Sequence, residues 1–281
     1  MQRVAGFISI VRPINAAITA LSIAVAAAIA WNAGALLLDA LLASIAGFLI
    51  AGFGNAVNDV FDLEIDKVNK PERPLPSGKI SFRSAQIFAA ILAAAGIGLS
   101  LLLHGVASLI AAATVALLYF YAAYFKRMLL VGNIIVSFLT GLAFVYGAVA
   151  VNNIGAAAIP AVFAFLFNFG REILKDAEDV EGDSAMGADT FAIRYGMRAS
   201  LLLATAVYAV LVAATFVPYV AGVYGQWYLL LVIFTVNIPI FLLIIPLWWS
   251  PSVEKIRRIC ILLKFIMLCG IGAILVGGIS P

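Results

Sequence analysis

Apolar runs interrupted at short polar intervals dominate the chain from residue 14 onward. Residues 84–125 contain no Asp, Glu, Lys or Arg, and neither do residues 128–170. A helix that crosses a bilayer needs about 20 mostly apolar residues, so each of these stretches holds two spans. His104-Gly105 divides the first, and Asn152-Asn153 with Gly155 divides the second. Cutting the remainder at charges, Pro, Gly and Asn predicts spans near 14–31, 36–58, 199–218, 227–248 and 257–279. The first of these exceeds the roughly 7–15 apolar residues of a secretory leader, so it is read as an uncleaved helix. The expected fold is all-α: a nine-transmembrane-helix bundle with a central cavity, residues 1–281 forming one integral membrane domain. A weak repeat relates spans 1–4 to spans 5–8, with the ninth appended.

Composition supports the bilayer as solvent. The chain is 65% hydrophobic and 11% charged, whereas soluble domains average about 45–50% and about 25%. A chain of 281 residues cannot hide that excess in a larger core, which excludes a soluble helical bundle. The net charge of +3 says little, but its placement says more. With nine spans, all 17 basic residues fall on one side of the membrane, and Asp39 is the only one of 14 acidic residues on the other. Cytoplasmic loops carry the excess of Lys and Arg. The N-terminus is therefore expected inside, the C-terminus outside, and the cavity open to the cytoplasm and the bilayer. Trp31, Tyr219, Tyr224, Trp227 and Tyr228 fit an outer aromatic belt, and Trp248 and Trp249 an inner one. Cys260 and Cys269 are expected to pack inside the last span, and the lone His104 to sit in a turn.

Two acidic segments lie on the cytoplasmic side. In the first, Asn58, Asp62 and Asp66 recur every four residues; if the second span continues through them, they share one helical face. In the second, Asp176, Asp179 and Asp183 follow a similar stripe after the sixth span. Like charges at this spacing repel, unless a cation lies between them. Magnesium favours a few carboxylates completed by water and phosphate oxygens. The two stripes are thus expected to face a shared cavity and hold a diphosphate through Mg²⁺. Lys67, Arg73, Lys126, Arg171 and Lys175 are candidate diphosphate contacts, with Lys264 deeper in the ninth span. Pro71, Pro74 and Pro76 stiffen the segment 69–78, which is read as a lid carrying Arg73, an ordinary stiff connection being the alternative.

An apolar bundle that carries a diphosphate suits an isoprenoid donor, whose chain lies in hydrocarbon while its headgroup stays at the polar face. Breaking the allylic C–O bond develops charge that metal ions and cations neutralise. The carbocation-like centre then needs a dry site. Tyr119, Tyr121, Tyr124, Phe138, Phe144, Tyr146, Phe165 and Phe169 are available as aromatic faces for it. An alcohol acceptor must also lose a proton; no side chain singles itself out as the base, and the released diphosphate is an alternative.

At these residues the chain resembles the UbiA-type intramembrane prenyltransferases. The resemblance rests on Asn58/Asp62/Asp66, the Arg-Pro-x-Pro-Ser-Gly run from Arg73 to Gly78, and Asp176/Asp179/Asp183, in this order along nine spans. It implies that these six Asn and Asp residues bind Mg²⁺ and diphosphate. The runs Asn58–Ser81 and Arg171–Asp183 are similar to those of archaeal digeranylgeranylglyceryl phosphate synthases. That similarity implies a geranylgeranyl diphosphate donor, a lipid glyceryl phosphate acceptor and a role in ether-lipid synthesis. Aromatic-acceptor members of the quinone, chlorophyll and tocopherol type share the broader pattern. The expected partners are these substrates and membrane lipids, without nucleic acid or an obligate protein partner. A secondary transporter is disfavoured because ionisable groups are nearly absent at mid-depth. A CDP-alcohol phosphotransferase is disfavoured because no Asp-Gly-x-x-Ala-Arg segment occurs.

Overall fold

The apolar runs fold as helices whose breaks coincide with the polar, Gly and Pro interruptions of the sequence. The computed structural model describes residues 2–31, 34–185 and 187–279, without the side chains of residues 2, 68, 69 and 185; the side chain of Asn69, at the start of the expected lid, thus lies outside the described residues. In chain order the helices are α1 (Gln2–Val11), α2 (Pro13–Ile29), α3 (Leu37–Phe61), α4 (Leu63–Asn69), α5 (Phe82–Leu101) and α6 (Gly105–Ala123). They continue with α7 (Val131–Ala150), α8 (Ala158–Ala185), α9 (Phe191–Val220), α10 (Gln226–Val232), α11 (Ile238–Trp249) and α12 (Val253–Ile279). A π-helical turn, Ile233–Asn237, joins α10 to α11. Among the described residues, eight helical stretches are long and apolar enough to cross a bilayer. The pair α1–α2, bent by 43°, makes a ninth if it counts as one span.

The chain forms two compact units. The first comprises Met1–Lys126 with Ala143–Gly155, and α3 is its central helix, packed on α2, α5 and α6. Ile10, Phe53, Val57, Leu75, Ile80 and Leu92 build one buried cluster, while Ile23, Ile50, Tyr146 and Val149 build another. Small residues let these backbones approach closely, which in hydrocarbon replaces the missing hydrophobic drive between helices. Gly147 faces the Ile23 carbonyl of α2, and Gly96 faces Ile50 of α3. The buried hydroxyls of Ser100 and Tyr146 satisfy each other at 2.7 Å. His104 does occupy a turn: its Nδ1 accepts from the Ala107 amide at the start of α6, and its Nε2 lies 2.7 Å from the Val149 carbonyl.

The bend between α1 and α2 has a local cause. Arg12 takes a left-handed conformation, φ 52°, which is uncommon outside glycine. Pro13 then starts α2, a position where its missing N–H costs nothing. The bend is held by α3: Asn55 Nδ2 donates to the Val11 carbonyl at 2.8 Å, and the Arg12 guanidinium donates to Asp59.

The second unit comprises Arg127–Leu142 with Ala156–Pro281. Here α8 packs on α9 and α12, and Gly170 leaves room for the fully buried ring of Tyr208. Two residues assigned to the outer aromatic belt belong instead to the core. Tyr224 and Tyr228 are 5% and 0% exposed, pack edge-on at 4.8 Å and rest against Gly277. The Tyr228 hydroxyl finds the Thr215 carbonyl at 2.9 Å, so the ring is buried with its polar tip satisfied. Trp31, Tyr219, Trp227, Trp248 and Trp249 remain exposed. Cys260 is buried as expected, but Cys269 is exposed on the apolar surface of α12 rather than packed.

Adding a methyl group at Gly147 pushes it into a backbone carbonyl, which cannot swing aside. Gly147→Ala is expected to destabilise the protein by about 1–3 kcal/mol. Gly98→Ala, in open space on α5, is expected to be neutral or stabilising by up to about 1 kcal/mol. Thermal unfolding of the two variants in detergent checks the contrast.

Candidate functional site

The first acidic segment spans a helix break. Asp62 sits between α3 and α4 with φ −94° and ψ 5°, so the second span does not run unbroken through the stripe as expected. The backbone register nevertheless survives: Asp62 N–H donates to the Asn58 carbonyl at 2.9 Å, and Asp66 N–H to the Asp62 carbonyl at 2.8 Å. The two i to i+4 links keep Asn58, Asp62 and Asp66 in sequence along one turn-by-turn path.

Each carboxylate here is met by a cation. Lys126 Nζ donates to Asp62 Oδ1. Arg73 Nη1 donates to Asp66 Oδ2 at 2.5 Å and reaches Asp59 Oδ1 at 3.5 Å, while Arg12 Nη2 donates to the same Asp59 oxygen at 2.5 Å. Asp59 and Asp66 are only 3% and 4% exposed, and a buried charge is tolerated only when paired. The segment carrying Arg73 is pinned rather than loose. Leu75 and Ile80 are buried in the core cluster, Ser77 Oγ donates to the Arg73 carbonyl at 2.6 Å, and Gly78 supplies a φ of 70°. Lys67 stands apart in an exposed pair with Glu64 at 2.7 Å.

The Asn58 side-chain oxygen is the exception. It is buried and has no hydrogen-bond partner among the described residues, and such a group is costly unless something else binds it. The hydrogen bonds of Asp62 and Asp66 each use one carboxylate oxygen. The segment therefore offers an amide oxygen and carboxylate oxygens, the hard donors magnesium prefers. Among the described residues, no three acidic, His or Cys side chains converge as a ready-made metal cage. Magnesium does not require one, because water and substrate phosphate complete its shell.

The second segment lies on the last turns of α8. Asp176, Asp179 and Asp183 continue a stripe that begins one turn earlier at Glu172. Glu172 is 7% exposed and held by Arg171 at 2.8 Å and by Lys175 at 3.2 Å. Arg171 also reaches the Cys260 carbonyl at 3.4 Å. These two cations, expected at phosphate, are paired here with the buried Glu172. Asn133 of α7 donates Nδ2 to Asp176 Oδ2 at 2.9 Å. Its own carbonyl accepts from Ser137 Oγ at 2.6 Å. Arg257 of α12 donates to Glu178 at 2.9 Å. Of the candidate aromatic faces, Phe165 and Phe169 stack at 5.8 Å, whereas Tyr119, Tyr124 and Phe138 are exposed.

Arg12, Asp59, Asn133 and Glu172 escaped the sequence reading. Asn133 had a signal, being a polar residue inside a charge-free run, where such residues are costly and functional. Asp59 and Glu172 sat beside the stripes but outside the spacing used to find them. Arg12 reads as one more cytoplasmic cation until the fold brings Asp59 to it.

The UbiA prenyltransferase family profile matches residues 18–269. The chain is 39% identical over 274 residues to the digeranylgeranylglyceryl phosphate synthase of Methanopyrus kandleri, covering 96% of this chain and 97% of that one. It is 38% identical to the synthase of Methanothermobacter thermautotrophicus, over 89% of this chain and 85% of the relative. A solved structure described as a digeranylgeranylglyceryl phosphate synthase in membranes matches with a TM-score of 0.80 at 35% identity, covering 100% of both chains. A UbiA homolog from Archaeoglobus fulgidus bound to DMAPP and Mg²⁺ shares the fold, with a TM-score of 0.71 at 19% identity over 96% of this chain and 99% of that one. A family match across most of the chain, joined to relatives aligned from end to end, establishes that this protein belongs to the UbiA prenyltransferase family and is an enzyme.

Proposed function

We propose that the enzyme transfers a geranylgeranyl group from geranylgeranyl diphosphate to the free hydroxyl of geranylgeranylglyceryl phosphate, a step in ether-lipid synthesis. The observation that carries this substrate reading is the end-to-end relatedness to synthases named for that product. Asn58, Asp62, Asp66, Asp176, Asp179 and Asp183 are the residues that would hold magnesium. The buried, unpartnered Asn58 oxygen supports that assignment. Bound magnesium supplies neutralisation of charge on the diphosphate leaving group.

The chain's own residues do the rest. Lys126 and Arg73 orient Asp62 and Asp66, and their remaining N–H donors address diphosphate oxygens. Arg171 and Lys175 do the same beside the second segment, with Lys67 at the rim. Apolar helix walls exclude the water that would trap the allylic cation. Asn133 is a positioning residue: its amide fixes the Asp176 carboxylate, as outer partners of metal ligands commonly do. The site is placed on the cytoplasmic face, supported by the one-sided distribution of all 17 basic residues.

Purified protein given Mg²⁺ and geranylgeranyl diphosphate is expected to alkylate geranylgeranylglyceryl phosphate and not 4-hydroxybenzoate, as read by product mass. A ring-alkylated product with no ether product would overturn the acceptor. Asp62→Ala and Asp183→Ala are each expected to lower turnover by about 100-fold or more, and full turnover in both would remove the carboxylates from the reaction. Asn133→Ala is expected to raise the Mg²⁺ concentration for half-maximal rate about tenfold with an unchanged unfolding temperature. An unchanged Mg²⁺ requirement would leave Asn133 a packing residue.

A further inference from the structure

In the second unit, polar side chains from the charge-free run 128–170 join into one buried thread. Asn133 and Ser137 of α7 and Asn168 of α8 are 7%, 0% and 7% exposed. The Ser137 hydroxyl spends its single proton on the Asn133 carbonyl, at 2.6 Å, and Asn133 in turn donates to Asp176. Toward Asn168, Ser137 can therefore only accept, and Asn168 Nδ2 lies 3.5 Å from its Oγ. This sets the orientation of the Asn168 amide: nitrogen toward Ser137, oxygen away from it.

The Asn168 oxygen accepts no hydrogen bond among the described residues. The one bond the amide does make is longer than the usual range of about 2.7–3.2 Å. A buried amide so poorly met is costly, and polar groups held at this depth in a membrane bundle mark the path of a substrate. Asn168, Glu172 and Asp176 recur every four residues along α8, so Asn168 carries the acidic stripe one turn deeper than Glu172. Glu172 is occupied with Arg171 and Lys175. The free amide oxygen calls for a donor. A hydroxyl supplies one, whereas a phosphate or carboxylate presents only acceptors and would set its charge against the amide dipole.

We propose that Asn168 binds the free hydroxyl of the acceptor, its Oδ1 accepting the alcohol O–H while Ser137 holds its Nδ2. The inference rests on the alcohol-acceptor reading given above. Accepting the O–H leaves the lone pairs of the alcohol oxygen available to attack the allylic carbon. The depth suits this role. Asn168 and Asp176 are about 12 Å apart along the axis of α8. A phosphate held at Asp176 and the carbon attached to it take up much of that interval, and an attacking oxygen stands about 3–3.5 Å beyond the carbon. The hydroxyl therefore belongs at the level of Asn168 rather than at the carboxylates.

Equilibrium binding to the full-length protein in detergent tests this, using geranylgeranylglyceryl phosphate and its analogue with hydrogen in place of the free hydroxyl. The wild-type protein is expected to bind the alcohol about tenfold more tightly than the analogue. Asn168→Leu, close to Asn in volume, is expected to bind the two compounds within about twofold of each other. Its affinity for geranylgeranyl diphosphate with Mg²⁺ is expected to stay at the wild-type value. Asn168→Ala, which demands no new space, is expected to behave likewise, and unfolding temperatures identify which variants are folded. A wild-type protein that binds both compounds equally, or a folded variant that keeps the wild-type preference, would overturn the assignment. So would an equal loss of affinity for both compounds and for the donor, which is the mark of a structural residue. A wild-type protein that neither binds nor alkylates geranylgeranylglyceryl phosphate would instead refute the acceptor reading itself, and this inference with it.

Discussion

A carboxylate removed from water must be met by a cation or a hydrogen-bond donor, and in this charge-poor chain that requirement organises the polar end of both units. Asp59 is buried at the end of α3, so Arg12 and Arg73 converge on it. The first of these fixes the bend between α1 and α2, and the second fixes the segment that follows α4. Glu172 plays the same part on α8, drawing in Arg171 and Lys175. Removing one partner from such a buried pair costs about 3–5 kcal/mol, so these residues lock backbone as well as charge.

Around these anchors the stripe residues are arranged differently. Among the described residues Lys126 meets Asp62, Arg73 meets Asp66, a neutral amide meets Asp176, and the Asn58 oxygen has no hydrogen-bond partner.

Packing follows from the apolar solvent. Helices embedded in hydrocarbon gain little from burying one another's side chains, so close backbone approach through Gly and Ala does the work. Gly147 on Ile23 and Gly170 under Tyr208 are of this kind. The tight contacts hold the long helices in fixed register, and fixed register keeps the polar residues at their ends within hydrogen-bonding reach.

The positions of the helices were legible because hydropathy and breakers act locally: a charge-free run interrupted at His104 or Asn152 can satisfy its backbone in lipid only as helices. The acidic stripes were legible for the same reason, since i to i+4 spacing survives even the break at Asp62. What only the tertiary structure decided involves partners distant in sequence. Arg12 with Asp59 is separated by 47 residues, and Asn133 with Asp176 by 43. Tyr224 and Tyr228 read as belt residues until Gly277 made room for them. Period and composition specify what each helix is and where it ends. Which buried charge meets which cation, and which aromatic is enclosed, depends on how helices far apart in the chain come into contact.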